Sequence, residues 1–330
     1  MSSHLLAAVE TDSASQSAQE SRMISKTIDL AGETLHYADF GGEGPTLVLV
    51  HGLGGSYTAW LAVAASLARR ARVVALDLPG FGHSPRSARG TTLSVMGKAL
   101  ARFIDAMSER PVHLVGNSMG GALSLLEAHA RPQRIASALL VDPALPAPLG
   151  MDIDPWWLKT LAIASVPMGH RLLRRRATRL GRERLLRDLM DVCCVDATRI
   201  PAEVMDALVA EAIVCGALPQ IDLAFSEATR SLLGELLFGR RLRKAVRLPG
   251  VPTLIVHGQR DRCVDVRVVR ATVAINPQIE LIELPDLGHT PQLEAPDAFL
   301  KLASGWLDRV ASTSGGRQDA PVRLGRAANG

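Results

Sequence analysis

The stretch Gly116-Asn117-Ser118-Met119-Gly120 lies between a short apolar run, residues 112–115, and a helical pattern, residues 120–130. It has the form G-x-S-x-G, and this strand–turn–helix setting places the serine on a sharp turn at the C-terminal edge of a sheet. A turn this tight strains the central residue and leaves its neighbours no room for side chains, which explains the two glycines. We therefore interpret Ser118 as a nucleophile and not as an ordinary serine that caps the following helix.

Strand-like runs lie on both sides of this motif and alternate with helical patterns. Most are apolar at nearly every position, which is typical of strands covered on both faces of a parallel sheet. The predicted strands are residues 26–30, 34–38, 46–50, 72–76, 112–115, 138–141, 253–256 and 279–284, of which the first two form a hairpin; the predicted helices are residues 60–69, 93–107, 120–130, 266–274 and 297–310. The alternation predicts an α/β fold with a mostly parallel, doubly wound sheet of eight strands.

The alternation stops between Pro143 and Pro249, where the chain is helix-like throughout. We predict a helical cap of residues 143–249, inserted into a core formed by residues 23–142 and 250–310. The two ends of the chain, residues 1–22 and 311–330, are rich in small and polar residues and are predicted to be a disordered leader and tail.

The composition is that of a globular protein, with 330 residues, 47% hydrophobic, 21% charged and a formal net charge of +4. This charge is small for a nucleic-acid-binding protein. The four cysteines form no C-x-x-C pair and predict reduced thiols, with neither a metal site nor a disulfide framework. The sequence shows no secretion signal and no run of roughly 18 apolar residues. We therefore expect a cytoplasmic protein without a transmembrane segment; its oligomeric state is left open.

A nucleophilic serine needs a base and an acid. His289 follows the predicted strand 279–284, at the same sheet edge as Ser118, and is our candidate base. Asp261 follows the predicted strand 253–256 and is our candidate acid. Asp142, at the end of the strand 138–141, competes with it, whereas Asp265 is better placed to cap the helix beginning at residue 266. The order Ser118, Asp261, His289 is that of the α/β-hydrolases.

The glycine-rich stretch His51-Gly52-Leu53-Gly54-Gly55 follows the strand 46–50. It lacks the lysine and the spacing of a phosphate-binding P-loop. We interpret it as part of an oxyanion hole, with the backbone N–H groups of Leu53 and Met119 as the donors. His51 itself is interpreted as a structural residue of this loop.

Four segments, in chain order, resemble the α/β-hydrolase superfamily over roughly residues 24 to 310: residues 51–55, residues 77–84 (Asp-Leu-Pro-Gly-Phe-Gly-His-Ser), residues 116–121 and residues 288–291 (Gly-His-Thr-Pro). The resemblance implies a serine esterase or lipase that needs no cofactor. Haloalkane dehalogenases and epoxide hydrolases share the fold and have a similar loop, but their nucleophile is an aspartate where this chain has Ser118. Cofactor-free oxygenases also share the fold. Carbon–carbon hydrolases of aromatic ring-cleavage products are also similar, but they usually carry tryptophan where Thr290 stands. A third resemblance is to hydrolase-like acyltransferase domains of dehydrogenase complexes, but the sequence shows no lipoyl-bearing domain. A non-catalytic ligand-binding scaffold of the same fold remains an alternative.

The expected reaction is cleavage of a small or medium apolar carboxylic ester through an acyl-enzyme. Apolar side chains of the cap are expected to form the pocket wall: Trp156, Trp157, Leu158, Met168, Leu208, Phe225 and Leu237. Residues 170–190 of the cap contain eight arginines against two acids, Glu183 and Asp188. We favour a solvated helical face here; a lid that contacts anionic membranes or guides an acidic substrate is the second interpretation.

Overall fold

The computed structural model describes residues 23–146, 150 and 152–318, with side chains up to Ser312. The predicted leader, residues 1–22, and most of the predicted tail, residues 319–330, lie outside the described residues. All structural statements below concern the described part of the chain.

Eight strands form one sheet: β1 Ile24–Asp29, β2 Thr34–Gly41, β3 Thr46–Val50, β4 Arg72–Leu76, β5 Val112–Asn117, β6 Ile135–Val141, β7 Thr253–Gly258 and β8 Glu280–Leu284. Their spatial order is β1-β2-β4-β3-β5-β6-β7-β8. β2 pairs antiparallel with β1 and β4, and the other neighbours are parallel. This confirms the predicted fold class, and the strand positions agree with the prediction to within a few residues.

The buried strands separate two apolar layers. Successive residues of a strand point to opposite faces, so Val48 and Val50 pack into one cluster while Leu47 and Leu49 pack into the other. The first layer contains the helices α2 Leu93–Met107, α3 Met119–Ala130 and α10 Val266–Ile275. The second contains α1 Leu61–Ala68 and α12 Pro296–Gln318, which follows the short helix α11 Pro291–Glu294. Helices on both faces explain why these strands are apolar at nearly every position.

The segment between β6 and β7 is helical, as the pattern predicts. It contains α4 Pro155–Ser165, α5 Gly169–Leu180, α6 Arg182–Cys193, α7 Ala202–Gly216, α8 Ile221–Phe238 and α9 Arg241–Arg247, and it is called the helical insertion below. Several of its arginines pair with acids of the same segment: Arg184 with Asp188, Arg187 with Glu183, and Arg182 with Asp222. In the described residues, no single helix is long and apolar enough to cross a membrane, although α7 and α8 pass that test together as a bent pair.

The last helix differs from the prediction. Residues 311–318 were expected to belong to a disordered tail, but α12 continues through them to Gln318. No proline lies between Val310 and Gln318, and the Ser312 hydroxyl donates a hydrogen bond to the Asp308 carbonyl (2.9 Å) one turn earlier. The predicted end of this helix, residue 310, was therefore too early, because the small and polar residues that follow were interpreted as a tail.

Candidate active site

Ser118 occupies a strained turn between β5 and α3. Its backbone angles, φ +55° and ψ −117°, are rare for a residue with a side chain. The turn is held because the Ser118 amide donates to the Val141 carbonyl (2.9 Å) and its carbonyl accepts from Ala144 (3.0 Å). The hydroxyl makes no capping bond to α3. The Ser118 side chain is partly exposed at the C-terminal edge of the sheet. It does not cap α3, which was the alternative interpretation of this serine.

The two glycines of the motif allow close backbone packing. A Cβ atom on Gly116 would lie 2.4 Å from the Gly120 carbonyl oxygen, and one on Gly120 would lie 2.2 Å from the Val50 carbonyl oxygen. Both distances are too short for a real contact. The start of α3 is thereby pressed against the end of β3, where the glycine-rich loop begins.

His289 and Asp261 form a buried hydrogen-bonded pair. The loop after β8 carries His289, and the loop after β7 carries Asp261; the distance from His289 Nδ1 to Asp261 Oδ2 is 2.7 Å. The His289 side chain is 6% exposed and that of Asp261 is fully buried. The second carboxylate oxygen, Oδ1, accepts from the amides of Cys263 (2.7 Å) and Val264 (3.0 Å), which fixes the orientation of the acid.

The competing acids have other partners. Asp142 Oδ1 accepts from the Gly258 amide (2.8 Å) and lies 3.4 Å from His257 Nδ1, so it supports the loop that carries Asp261. Asp265 accepts from the Arg267 amide (2.9 Å) and caps α10, as predicted. The structure therefore brings His289 together with Asp261.

Burial and charge set the protonation of this cluster. Burial alone lowers the pKa of His289, but the charge of Asp261 and the hydrogen bond to it outweigh this effect and raise the pKa. Burial and the nearby charge of Asp261 raise the pKa of Asp142 well above its ordinary value. These effects favour the neutral form of Asp142, and the carboxyl group that hydrogen-bonds to His289 is that of Asp261.

Two contacts that the sequence did not reveal hold the His289 loop. Asn117, next to Ser118, donates from Nδ2 to the His289 carbonyl (3.0 Å) and to the Val141 carbonyl (3.1 Å). The buried Glu294 accepts from the Gly288 amide (2.9 Å) and from the amides of Val195 (2.9 Å) and Asp196 (3.0 Å) at the end of α6. Neither residue occupies a motif position with a required side chain, so no sequence signal marked them.

The glycine-rich loop after β3 contacts the serine directly. A Cβ atom on Gly52 would lie 3.1 Å from the Ser118 Cβ. His51 is fully buried and bonds to the Gly52 carbonyl (2.7 Å) and the Leu78 amide (3.0 Å), which agrees with a structural role. The Leu53 amide donates no hydrogen bond within the described chain, and Met119 is the first residue of α3, so its N–H lacks an intrahelical partner.

A cavity of about 220 Å³ lies between this loop and the helical insertion. The core side is formed by Leu53, Gly54 and Gly55, and the wall opposite is mainly apolar: Trp156, Trp157, Leu173, Leu185, Leu186, Leu189, Leu208, Ile221 and Phe225. Three residues expected in this wall, Leu158, Met168 and Leu237, are more than half exposed instead. They lie on the outer surface of the insertion. The apolar composition of the segment did not show which of its side chains face the cavity and which face outward.

Three groups of side chains in the described chain could share a metal ion. Two of them are built on Asp261, together with Cys263 and His289 or with Asp142 and His257. In both, the Asp261 carboxylate is already engaged by His289 and by two amides. The third group, His83, Glu211 and Cys215, contains none of the three candidate catalytic residues.

The comparison with known proteins identifies the fold family of the chain. The family model of the alpha/beta hydrolase fold matches residues 45–296. The chain is 32% identical over 272 residues to the dihydrolipoyllysine-residue acetyltransferase component of the acetoin cleaving system of Pseudomonas putida, with 82% of this chain and 65% of that protein covered. It thus spans slightly less than two thirds of that relative.

Lipases are also similar. Monoacylglycerol lipase abhd6-B of Xenopus laevis is 27% identical over 280 residues, with 82% of this chain and 78% of that protein covered. The crystal structure of a membrane phospholipase A, a bacterial virulence factor, superposes with a TM-score of 0.69 at 26% identity, covering 88% of this chain and 87% of the other. With its eight-stranded sheet and a family match over residues 45–296, this chain belongs to the α/β-hydrolase fold family.

Proposed function

We propose that the chain is a serine hydrolase that cleaves a carboxylic ester of a small or medium apolar substrate through an acyl-enzyme. The observation that carries the proposal is the buried pair of His289 and Asp261 (2.7 Å) beside the strained turn of Ser118. A base oriented by an acid, next to a partly exposed serine, is the arrangement that activates a hydroxyl for acyl transfer.

In the proposed reaction, Ser118 Oγ attacks the ester carbonyl carbon while its proton passes to His289 Nε2. The other ring nitrogen, Nδ1, donates to Asp261 throughout, so the charge on the imidazolium is compensated. The carbonyl oxygen becomes negative and accepts from the amides of Leu53 and Met119. The leaving alkoxide takes the proton from His289, and water then hydrolyses the acyl-enzyme by the same steps.

The cavity supports the apolar substrate class. Leu186, Leu208 and Phe225 belong to its wall, and each CH₂ group buried against such a surface contributes about 0.8 kcal/mol. Its volume of about 220 Å³ suits a short or medium chain rather than a long one.

One polar residue of the same cavity favours a second candidate. Arg176 lies over the Trp156 ring (4.8 Å) and bonds to the Thr160 hydroxyl (3.0 Å), and it pairs with no carboxylate in the described chain. Its free N–H groups suit an anionic substrate group. A carbon–carbon hydrolase that acts on an acidic ring-cleavage product would need such a binding site for its anionic group. Turnover of an acidic ring-cleavage product by this protein therefore tests the second candidate.

The acyl acceptor is a separate question, because one relative is named as an acetyltransferase component. We propose water as the acceptor. Turnover of an acetyl ester in the presence and absence of dihydrolipoamide tests this: release of free acetate at an unchanged rate agrees with hydrolysis, whereas quantitative transfer to the thiol contradicts it.

The nucleophile is tested with a fluorophosphonate probe followed by mass spectrometry of the labelled peptide. We expect labelling at Ser118, none in Ser118→Ala, and at least about a 10³-fold loss of p-nitrophenyl ester turnover in that variant. The matched control is Ser124→Ala, because Ser124 is a buried serine of α3 whose hydroxyl has no partner. A folded wild-type protein that resists the probe would favour a ligand-binding scaffold.

A further inference from the structure

At the edge of the cavity, and without Ser118, Asp261 or His289, one His/Glu/Cys cluster joins the core to the helical insertion. His83 comes from the loop after β4, and Glu211 and Cys215 come from α7. Glu211 Oε2 lies 3.1 Å from His83 Nε2, and Glu211 Oε1 lies 3.3 Å from Cys215 Sγ. All three ligand atoms lie within 4.8 Å of one another. Because Glu211 and Cys215 are four residues apart, they occupy the same face of the helix.

These separations are close to those of a tetrahedral zinc site. Zn²⁺ binds nitrogen at about 2.0–2.1 Å and sulfur at about 2.3 Å, so the ligand atoms of a tetrahedron lie roughly 3.3–3.7 Å apart. The two measured distances end on different oxygens of Glu211 and lie at or just below this range. The three ligand atoms lie within 4.8 Å of one another, so a metal ion would have to draw them together by at most about 1 Å. Mixed nitrogen, oxygen and sulfur donors suit Zn²⁺, whereas Mg²⁺ and Ca²⁺ prefer oxygen alone.

The charges around the cluster also favour a cation. The Glu211 side chain is only 12% exposed, and its sole ion-pair partner in the described chain is His83. Other shielded carboxylates of the helical insertion are paired with arginine, as Asp222 is with Arg182 (2.9 Å). The buried carboxyl group of Asp77 also lies close to the cluster, since it accepts from the His83 amide (2.9 Å) while it contacts His36 (2.7 Å).

We propose that His83, Glu211 and Cys215 bind a zinc ion, with water as the fourth ligand. Zn²⁺ displaces the thiol proton of Cys215 and links the core loop to α7. Because Gly82, Glu211 and Cys215 also line the cavity, the ion would fix one part of the cavity wall. The site contains none of the residues Ser118, Asp261 and His289, so the zinc proposal can be tested independently of the proposed reaction.

The test uses the full chain, freed of metals with a chelator and then titrated with Zn²⁺ or Co²⁺. We expect one Zn²⁺ bound per chain and a rise in melting temperature. Co²⁺ should give the visible bands of a tetrahedral site and a sulfur-to-cobalt charge-transfer band in the near ultraviolet. In Cys215→Ser the charge-transfer band should disappear, and in both Cys215→Ser and His83→Gln the affinity for Zn²⁺ should fall at least tenfold.

Two variants are matched controls. Cys194→Ser removes a buried thiol outside the cluster, and Cys263→Ser removes the thiol of the group built on Asp261. Both should retain the Co²⁺ spectrum and the affinity for Zn²⁺. Loss of the thiolate band in Cys263→Ser, or wild-type affinity in Cys215→Ser and His83→Gln, overturns the proposal. The His83 side chain is 39% exposed, so His83→Gln keeps the test valid even if the buried Cys215 position tolerates no change.

Discussion

Asn117 and His289 are joined by a hydrogen bond of 3.0 Å from the side-chain amide of Asn117 to the main-chain carbonyl of His289. The residues are 172 positions apart in the chain. Since Asn117 directly precedes Ser118, this bond ties the loop of the candidate base to the turn of the candidate nucleophile. It gives Asn117 a positioning role that the G-x-S-x-G pattern does not specify.

Replacing Asn117 with alanine should therefore lower kcat by about tenfold or more, because small displacements of a base are costly. It also removes two bonds to buried carbonyl groups, for a loss of about 1–3 kcal/mol of stability. Ester turnover and the melting temperature measure the two effects. The matched control is Asn276→Ala, which likewise removes bonds to two carbonyl groups, those of Val246 (3.0 Å) and Arg247 (3.3 Å), far from the site. A similar loss of kcat in both variants would leave Asn117 with a purely structural role.

The identity of the acid is tested by two isosteric substitutions. Asp261→Asn removes the charge that orients His289 and should lower kcat at least about 10²-fold. Asp142→Asn should have a much smaller effect, because Asp142 makes no contact with the His289 ring nitrogen and because burial favours its neutral form, which an amide resembles. Kinetics at pH 7 with the same ester decide the point. Comparable losses in the two variants would assign part of the charge to Asp142.

The raised pKa of His289 predicts a shifted pH profile. The reaction needs the neutral imidazole, so kcat/KM should rise with pH and its midpoint should lie above about 6.5, the ordinary value for histidine. The protonated His289 also stabilises the fold below that ordinary value, and this stability should be lost as pH rises through the raised pKa. His289→Gln should flatten that part of the stability profile. An apparent pKa at or below 6.5 for kcat/KM would contradict the proposed effect of Asp261.

The cavity wall predicts a preference for chain length. We expect kcat/KM to increase by about tenfold or more from acetate to roughly C4–C8 esters, as successive CH₂ groups are buried. Phe225→Ala should move the optimum to longer chains, since its ring lies against Gly54 in the cavity. The control is Phe238→Ala, which alters a phenylalanine of the same helix that is 81% exposed. A steady decline from acetate onward would contradict the apolar-pocket proposal.

The sequence by itself determined the elements and their type. Apolar runs such as Thr46–Val50 predicted strands because a residue buried on both faces must be apolar. Glycines at positions 116 and 120 predicted the tight turn because a Cβ atom there would collide with backbone oxygens. Ser118, Asp261 and His289 could be selected because each follows a strand, and parallel strands bring their C-terminal ends to one edge.

Only the tertiary structure decided which distant groups meet. Asp142 and Asp261 both follow strands, so their positions in the sequence could not exclude either as the acid. The 2.7 Å contact between His289 Nδ1 and Asp261 Oδ2 distinguishes Asp261. The contacts of Asn117 with His289, of Glu294 with Val195 and of His83 with Glu211 gave no sequence signal, because the partners lie far apart in the chain. How the elements pack on one another brings these partners together. Local patterns depend on the few residues that share a strand or a helix turn, whereas these contacts depend on the relative placement of whole elements.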